Sequence, residues 1–179
     1  MFMVWKVNTG NGAYAILFRY LFLLVLGLGE LFIIYEISAP LTIYPTYYLL
    51  KIFYTIQLSG ISLIVGSRTI QIVEACVAPA AYYLLLILNL STPMNASKRF
   101  YSIFFSLILL LALNIIRIVT LSILFISNSA AFDVSHKLLW YGLSTIFVVG
   151  IWFLTVYIYK IKEIPFYTDF IIFKKLIKR

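Results

Sequence analysis

Acidic residues are scarce in this chain: six Asp and Glu stand against fourteen Lys and Arg in 179 residues, with one cysteine and one histidine. The lone Cys76 excludes an internal disulfide and any thiolate-rich metal site, and the lone His136 excludes a histidine cluster. No H-E-x-x-H is present, so a zinc protease helix is excluded. The sequence also lacks the G-x-S-x-G elbow and the second histidine of a serine hydrolase. Glu30, Glu36, Glu74, Asp133, Glu163 and Asp169 do not fall as an aspartyl pair at one depth. Neither metal nor cofactor is expected. The long apolar run near the start has no A-x-A-like site after it, and it reads as a first anchor rather than a cleaved signal.

What the chain has instead is apolar surface. It is 64% hydrophobic and 11% charged, with mean hydropathy +1.05. A soluble domain of this size has too high a surface-to-volume ratio to hide so much; lipid accommodates it. The net charge of +8 does not indicate nucleic acid, because the basic residues form short clusters between apolar runs, the pattern that orients membrane proteins. A crossing helix needs about 20 apolar residues, and the stretches 13–35, 43–65, 76–90, 100–126 and 138–159 approach or meet that length. The expected fold is therefore all-α: a single membrane-embedded domain, 1–179, of about five transmembrane helices. Phe166, Phe170, Phe173 and Ile177 share a helical face, with Lys174, Lys175 and Lys178 largely off it. Residues 163–179 are thus expected to form a basic, amphipathic interfacial tail.

Lys98 and Arg99, and then Lys160, Lys162, Lys174, Lys175, Lys178 and Arg179, mark the 91–99 loop and the tail as cytoplasmic. The 66–75 connection and the 127–135 loop then lie outside, and five spans put the N-terminus outside as well. Residues 66–74 alternate partly between polar and apolar, which predicts an extended segment.

Three residues bring chemistry to the outer half. Cys76 stands where the outer connection enters the third apolar stretch, with Glu74 before it and Pro79 after it, a proline suited to a first helical turn. Cysteine acts as a nucleophile through its thiolate, which a helix N-terminus favours; the plain alternative is a small, inert core residue. Arg117 interrupts an apolar run, where an unpaired guanidinium costs at least ~2.5 kcal/mol on insertion scales. Asn114 and Thr120, three residues to either side, share its helical face, so this polar stripe should face protein or a wet cavity. Snorkelling, the alternative, must cover roughly 8–14 Å from Arg117 to the outer end. His136 closes the 127–135 loop at the start of the fifth stretch; alone, it reads as a structural hydrogen-bonder. A thiol, a permanent cation and an imidazole at one membrane face suit acyl transfer.

Glu74-Ala75-Cys76, then Asn114-Ile115-Ile116-Arg117, then His136 at the next span resemble the core of the exosortase/archaeosortase family, over about residues 65–152. The resemblance implies a multi-pass cell-membrane transpeptidase of a prokaryote. Such an enzyme cleaves the C-terminal tripartite sorting signal of exported proteins at the extracytoplasmic face, and in some members passes the new carboxyl end to a lipid acceptor. It implies Cys76 as nucleophile, Arg117 as the stabiliser of thiolate or oxyanion, and His136 in the acid/base role, with Asn114 and Glu74 in support. Many members follow the cysteine with a small residue and Gly, where this chain has Val77-Ala78-Pro79. Two other classes fit the same composition: a non-catalytic membrane subunit or small transporter, and a lipid-modifying thiol acyltransferase.

Overall fold

A computed structural model describes residues 9–29, 31–139, 144–167 and 171. Its elements run α1 (Thr9–Leu28), α2 (Phe32–Lys51), β1 (Gln57–Ser59), β2 (Ser62–Val65), β3 (Arg68–Gln71), α3 (Glu74–Val77), α4 (Pro79–Ser91), α5 (Ala96–Ile126), α6 (Ala131–Leu138) and α7 (Ser144–Ile158).

The expected all-α, five-span architecture does not hold. Among the described residues one helix, Ala96–Ile126, is long and apolar enough to cross a membrane. A second helix of that kind is counted only if Ile16–Leu28 and Phe32–Lys51, bent by 73° across their break, are taken together. At that break Leu31 is left-handed, with φ 61.

The other three stretches fail for identifiable reasons. In 43–65 the helix ends at Lys51, and the remainder alternates Gln57, Ser59 and Ser62 with Leu58, Leu63 and Val65 to form strands. In 76–90, Ala78 breaks the helix with φ 60 before Pro79 restarts it, leaving 13 residues. In 138–159 the described helix α7 runs from Ser144 to Ile158 and has 15 residues, while 140–143 lie outside the described residues. The interfacial tail falls largely on 168–170 and 172–179, outside the described residues.

The sheet is a meander in the order β1-β2-β3. Two-residue loops join Ser59 to Ser62 and Val65 to Arg68. Each loop opens on a glycine with positive φ, Gly60 at 60° and Gly66 at 58°, as tight hairpins require. Within the 66–74 segment, residues 68–71 are thus extended as the alternation predicts, while 66–67 form the turn and Glu74 opens α3.

Hydrogen bonds set the helix directions. Arg19 Nη1 donates to the Leu90 carbonyl at 2.9 Å, and the Tyr83 hydroxyl donates to that of Leu23 at 2.8 Å. α1 therefore runs antiparallel to α4. Asn89 meets Ser102 and Ser106 while Asn114 meets Val77, so α4 and α5 are antiparallel too. α1 and α5 consequently start at the same end of the bundle.

Small polar side chains fill the seams. On α5 the buried residues are Ser102, Ser106, Leu110, Asn114, Ile118 and Ser122, one every four residues. On α2, Ser38 and Thr42 are buried and donate to the carbonyls of Ile34 at 2.6 Å and Ser38 at 2.8 Å. Large apolar side chains such as Phe18, Leu24, Phe104, Phe153 and Tyr157 point outward. Two apolar clusters lie along the bundle, one around Leu85, Leu110 and Trp152, the other around Leu50, Leu63, Ile72 and Ile118 beneath the sheet.

Candidate active site

The site grows from the break at Ala78. α3 is a single turn in which the Cys76 amide donates to the Val73 carbonyl at 2.8 Å and the Ala78 amide to that of Glu74 at 3.0 Å. At Ala78 the backbone turns left-handed, and Pro79, which has no N–H, begins α4. The carbonyls of Cys76 and Val77 therefore lose their helical donors, and buried carbonyls need replacements.

α5 supplies them. Asn114 Nδ2 donates to the Cys76 carbonyl at 3.0 Å and to that of Val77 at 3.1 Å. Arg117 Nη2 donates to the Cys76 carbonyl at 2.9 Å. Its Nη1 donates to Ser144 Oγ at 2.9 Å, and that hydroxyl donates in turn to the Leu139 carbonyl at 2.6 Å. Arg117 thus ties together three segments: the turn carrying Cys76, α5, and the start of α7.

A cavity of about 240 Å³ opens beside this junction, and Cys76, Arg117 and His136 all line it. They come from α3, α5 and α6 respectively. Its wall also includes Thr69 to Ile72, Ile118, Leu121, Ser122, Phe125, Phe132 and Leu139. The half-buried His136 is stacked on Phe132, with ring centroids 5.5 Å apart and planes at 11°. Phe132 packs on Phe125 at 5.3 Å. These three rings join α6 to the end of α5 along the rim.

Several expectations shift. Cys76 is not on the first turn of a long helix; it occupies a separate turn ahead of one. His136 lies in the last turn of α6, not at the start of the following long helix. Arg117 reaches the cavity, but its described hydrogen bonds go to a main-chain carbonyl and a hydroxyl. Asn114 lies behind the cavity, holding the turn. Glu74 is exposed and absent from the cavity wall, and Thr120 is exposed rather than part of the buried stripe.

Other contributors were barely legible in the sequence. Ser144 is one hydroxyl at the head of an apolar run. Arg68 donates through Nη1 to the Phe125 carbonyl, with its guanidinium carbon 5.6 Å from that ring's centroid, and so fastens the β2–β3 hairpin over the end of α5. Its place in the outer connection was readable, but its partner was not. No group of three or more His, Cys, Asp or Glu among the described residues could hold a metal ion. No protein-family model, curated protein or solved structure matches this chain.

Proposed function

We propose that this chain is a membrane-embedded cysteine transpeptidase or protease of exosortase/archaeosortase type, acting on the C-terminal sorting signals of exported proteins. One observation carries the proposal: a thiol, a guanidinium and an imidazole, separated by 41 and 19 positions in sequence, meet at a single cavity. Lipid as the solvent is supported by the distribution of side chains, with serines, threonines and asparagines in the seams and phenylalanines and leucines facing out. The end of the bundle where Lys98 and Arg99 open α5 is then cytoplasmic, and the cavity, near the other end of that helix, opens extracytoplasmically.

In the proposed reaction the Cys76 thiol gives its proton to His136 as Sγ bonds to the substrate carbonyl carbon, and the carbonyl's π pair moves onto oxygen. Two of the N–H groups of Arg117 hold Ser144 and the Cys76 carbonyl. The rest of the planar fork serves the developing oxyanion. The C–N bond then breaks, and the amine leaves with a proton delivered by His136. The resulting thioester is opened by an acceptor O–H or N–H, or by water. His136 takes the acceptor's proton and passes it to the departing Cys76 thiolate, which restores the thiol.

Co-expression with an exported protein bearing motif, apolar segment and basic cluster tests the proposal. Processing that requires Cys76, with a hydroxylamine-sensitive thioester intermediate, is the expected result. Unchanged processing by Cys76→Ala overturns it. That outcome favours a non-catalytic membrane subunit, a role consistent with Arg117 serving as a strut between the Cys76 carbonyl and Ser144.

A further inference from the structure

The wall of the cavity opposite α5 and α6 is unusual: it consists of four consecutive residues, Thr69, Ile70, Gln71 and Ile72. Successive side chains of a strand point to opposite faces, so four in a row describe the edge of a strand rather than either face. β3 is such an edge, since the sheet order is β1-β2-β3.

The register says which backbone groups that edge presents. The Ile72 amide donates to the Ile61 carbonyl at 2.9 Å, continuing the ladder beyond Ser62↔Gln71. Hydrogen-bonded and non-bonded pairs alternate in an antiparallel ladder. Ile72, Ile70 and Arg68 are therefore bonded toward β2, while Thr69 and Gln71 turn their N–H and C=O groups away from it. Among the described residues no strand pairs with that side. The edge is also rigidly placed, because Arg68 at its start is fastened to the Phe125 carbonyl. It ends at α3: the Val73 carbonyl, next in the outward-facing series, already accepts the Cys76 amide.

We infer that the substrate binds as an extended strand added to the edge of β3, hydrogen-bonded to the backbone of Thr69 and Gln71, with its reacting carbonyl emerging at Cys76 where the edge ends. This rests on the proposed nucleophile and adds the substrate's conformation and docking rail. An exposed edge with unused donors and acceptors recruits extended peptide, and the hydrogen bonds are independent of side-chain identity. Selectivity then comes from alternate side chains. Ile70, Ile118, Leu121, Phe125 and Leu139 offer an apolar lining, and no acidic residue lines the cavity among the described residues. The bound segment is accordingly a short, uncharged, apolar peptide.

The test uses the full chain in detergent micelles and an apolar acetyl-tetrapeptide acyloxymethyl ketone. Cys76 Sγ bonds to the ketone's methylene carbon as the carboxylate leaves, and the thiol proton goes to solvent. Each probe amide is N-methylated in turn, with iodoacetamide labelling of Cys76 as the control. Loss of a hydrogen bond should slow labelling about tenfold at alternate positions and leave the intervening positions within about twofold. Thr69→Pro, which removes an outward amide but no ladder bond, should slow the peptide probe similarly and leave iodoacetamide labelling unchanged. Labelling of Cys76 that ignores the position of N-methylation overturns strand addition and leaves the nucleophile standing. Labelling by iodoacetamide but by no peptide probe overturns the peptide-directed function itself, and strand addition with it.

Discussion

Asn89 and Asn114 are both buried amides on facing helices, yet they answer to different surroundings. Asn89, fully buried, donates to the Leu85 carbonyl at 2.8 Å and to Ser106 Oγ at 3.3 Å, and its Oδ1 accepts from Ser102. Every partner lies within or between two continuous helices, so the cluster is closed. Asn114 spends its donors on carbonyls orphaned by a helix break, beside a thiol and an open cavity. A polar group at depth is thus not by itself a sign of chemistry. What separates the two is whether the partner is regular helical backbone or the irregular backbone of a turn that carries a thiol.

The proposed chemistry makes that distinction measurable. Cys76→Ala should lower processing by roughly three orders of magnitude or more, because no other side chain at the cavity can form a thioester. Cys76→Ser should be nearly as inactive; a serine variant with full rate would sink the thiol mechanism. Arg117→Lys should cost roughly 10²-fold in kcat, since an ammonium cannot span the Cys76 carbonyl and Ser144 while also meeting an oxyanion. Full activity there would reduce Arg117 to a general counter-charge. His136→Ala should fall by about 10–10² in kcat, less than typical general-base loss because water can carry part of the proton transfer.

The asparagines are the sharpest comparison and the smallest effects. Asn114→Ala and Asn89→Ala should each lower stability by about 1–2 kcal/mol, read from thermal unfolding in detergent. Asn114→Ala alone should also reduce kcat, by roughly tenfold, as the Cys76 turn loosens. Equal kcat for the two folded variants would erase the difference between the closed and open ends of the bundle.

The three residues that share the cavity stand out in the sequence because of their chemistry. Arg117 in an apolar run demands a partner, and a thiol and an imidazole stand out in a chain with one of each. The architecture was less readable. Composition treats 43–65 as one apolar stretch, but helix and strand share that composition. What divides them is the alternation after Ile56 and the two glycines that close the hairpins. The same limit hid the turn at Cys76: Pro79 announces a helix start, but nothing in Val77-Ala78 announces a left-handed residue. The partners of Arg117 were also invisible, because Ser144 and the Cys76 carbonyl become neighbours only once α3, α5 and α7 have packed.

Ala78 carries one more implication. It is an alanine at φ 60, ψ 52, in the left-handed region that glycine occupies most readily. A left-handed alanine gives up about 1–2 kcal/mol relative to its right-handed form, but its basin there is narrow, whereas glycine's is broad. The methyl group therefore acts as a detent on the chain between nucleophile and long helix. Under the proposed mechanism it would narrow the range of angles from which sulfur meets a carbonyl, giving up some folding free energy for a better-aimed thiol. Ala78→Gly should raise thermal stability slightly while broadening the range of peptides that Cys76 accepts.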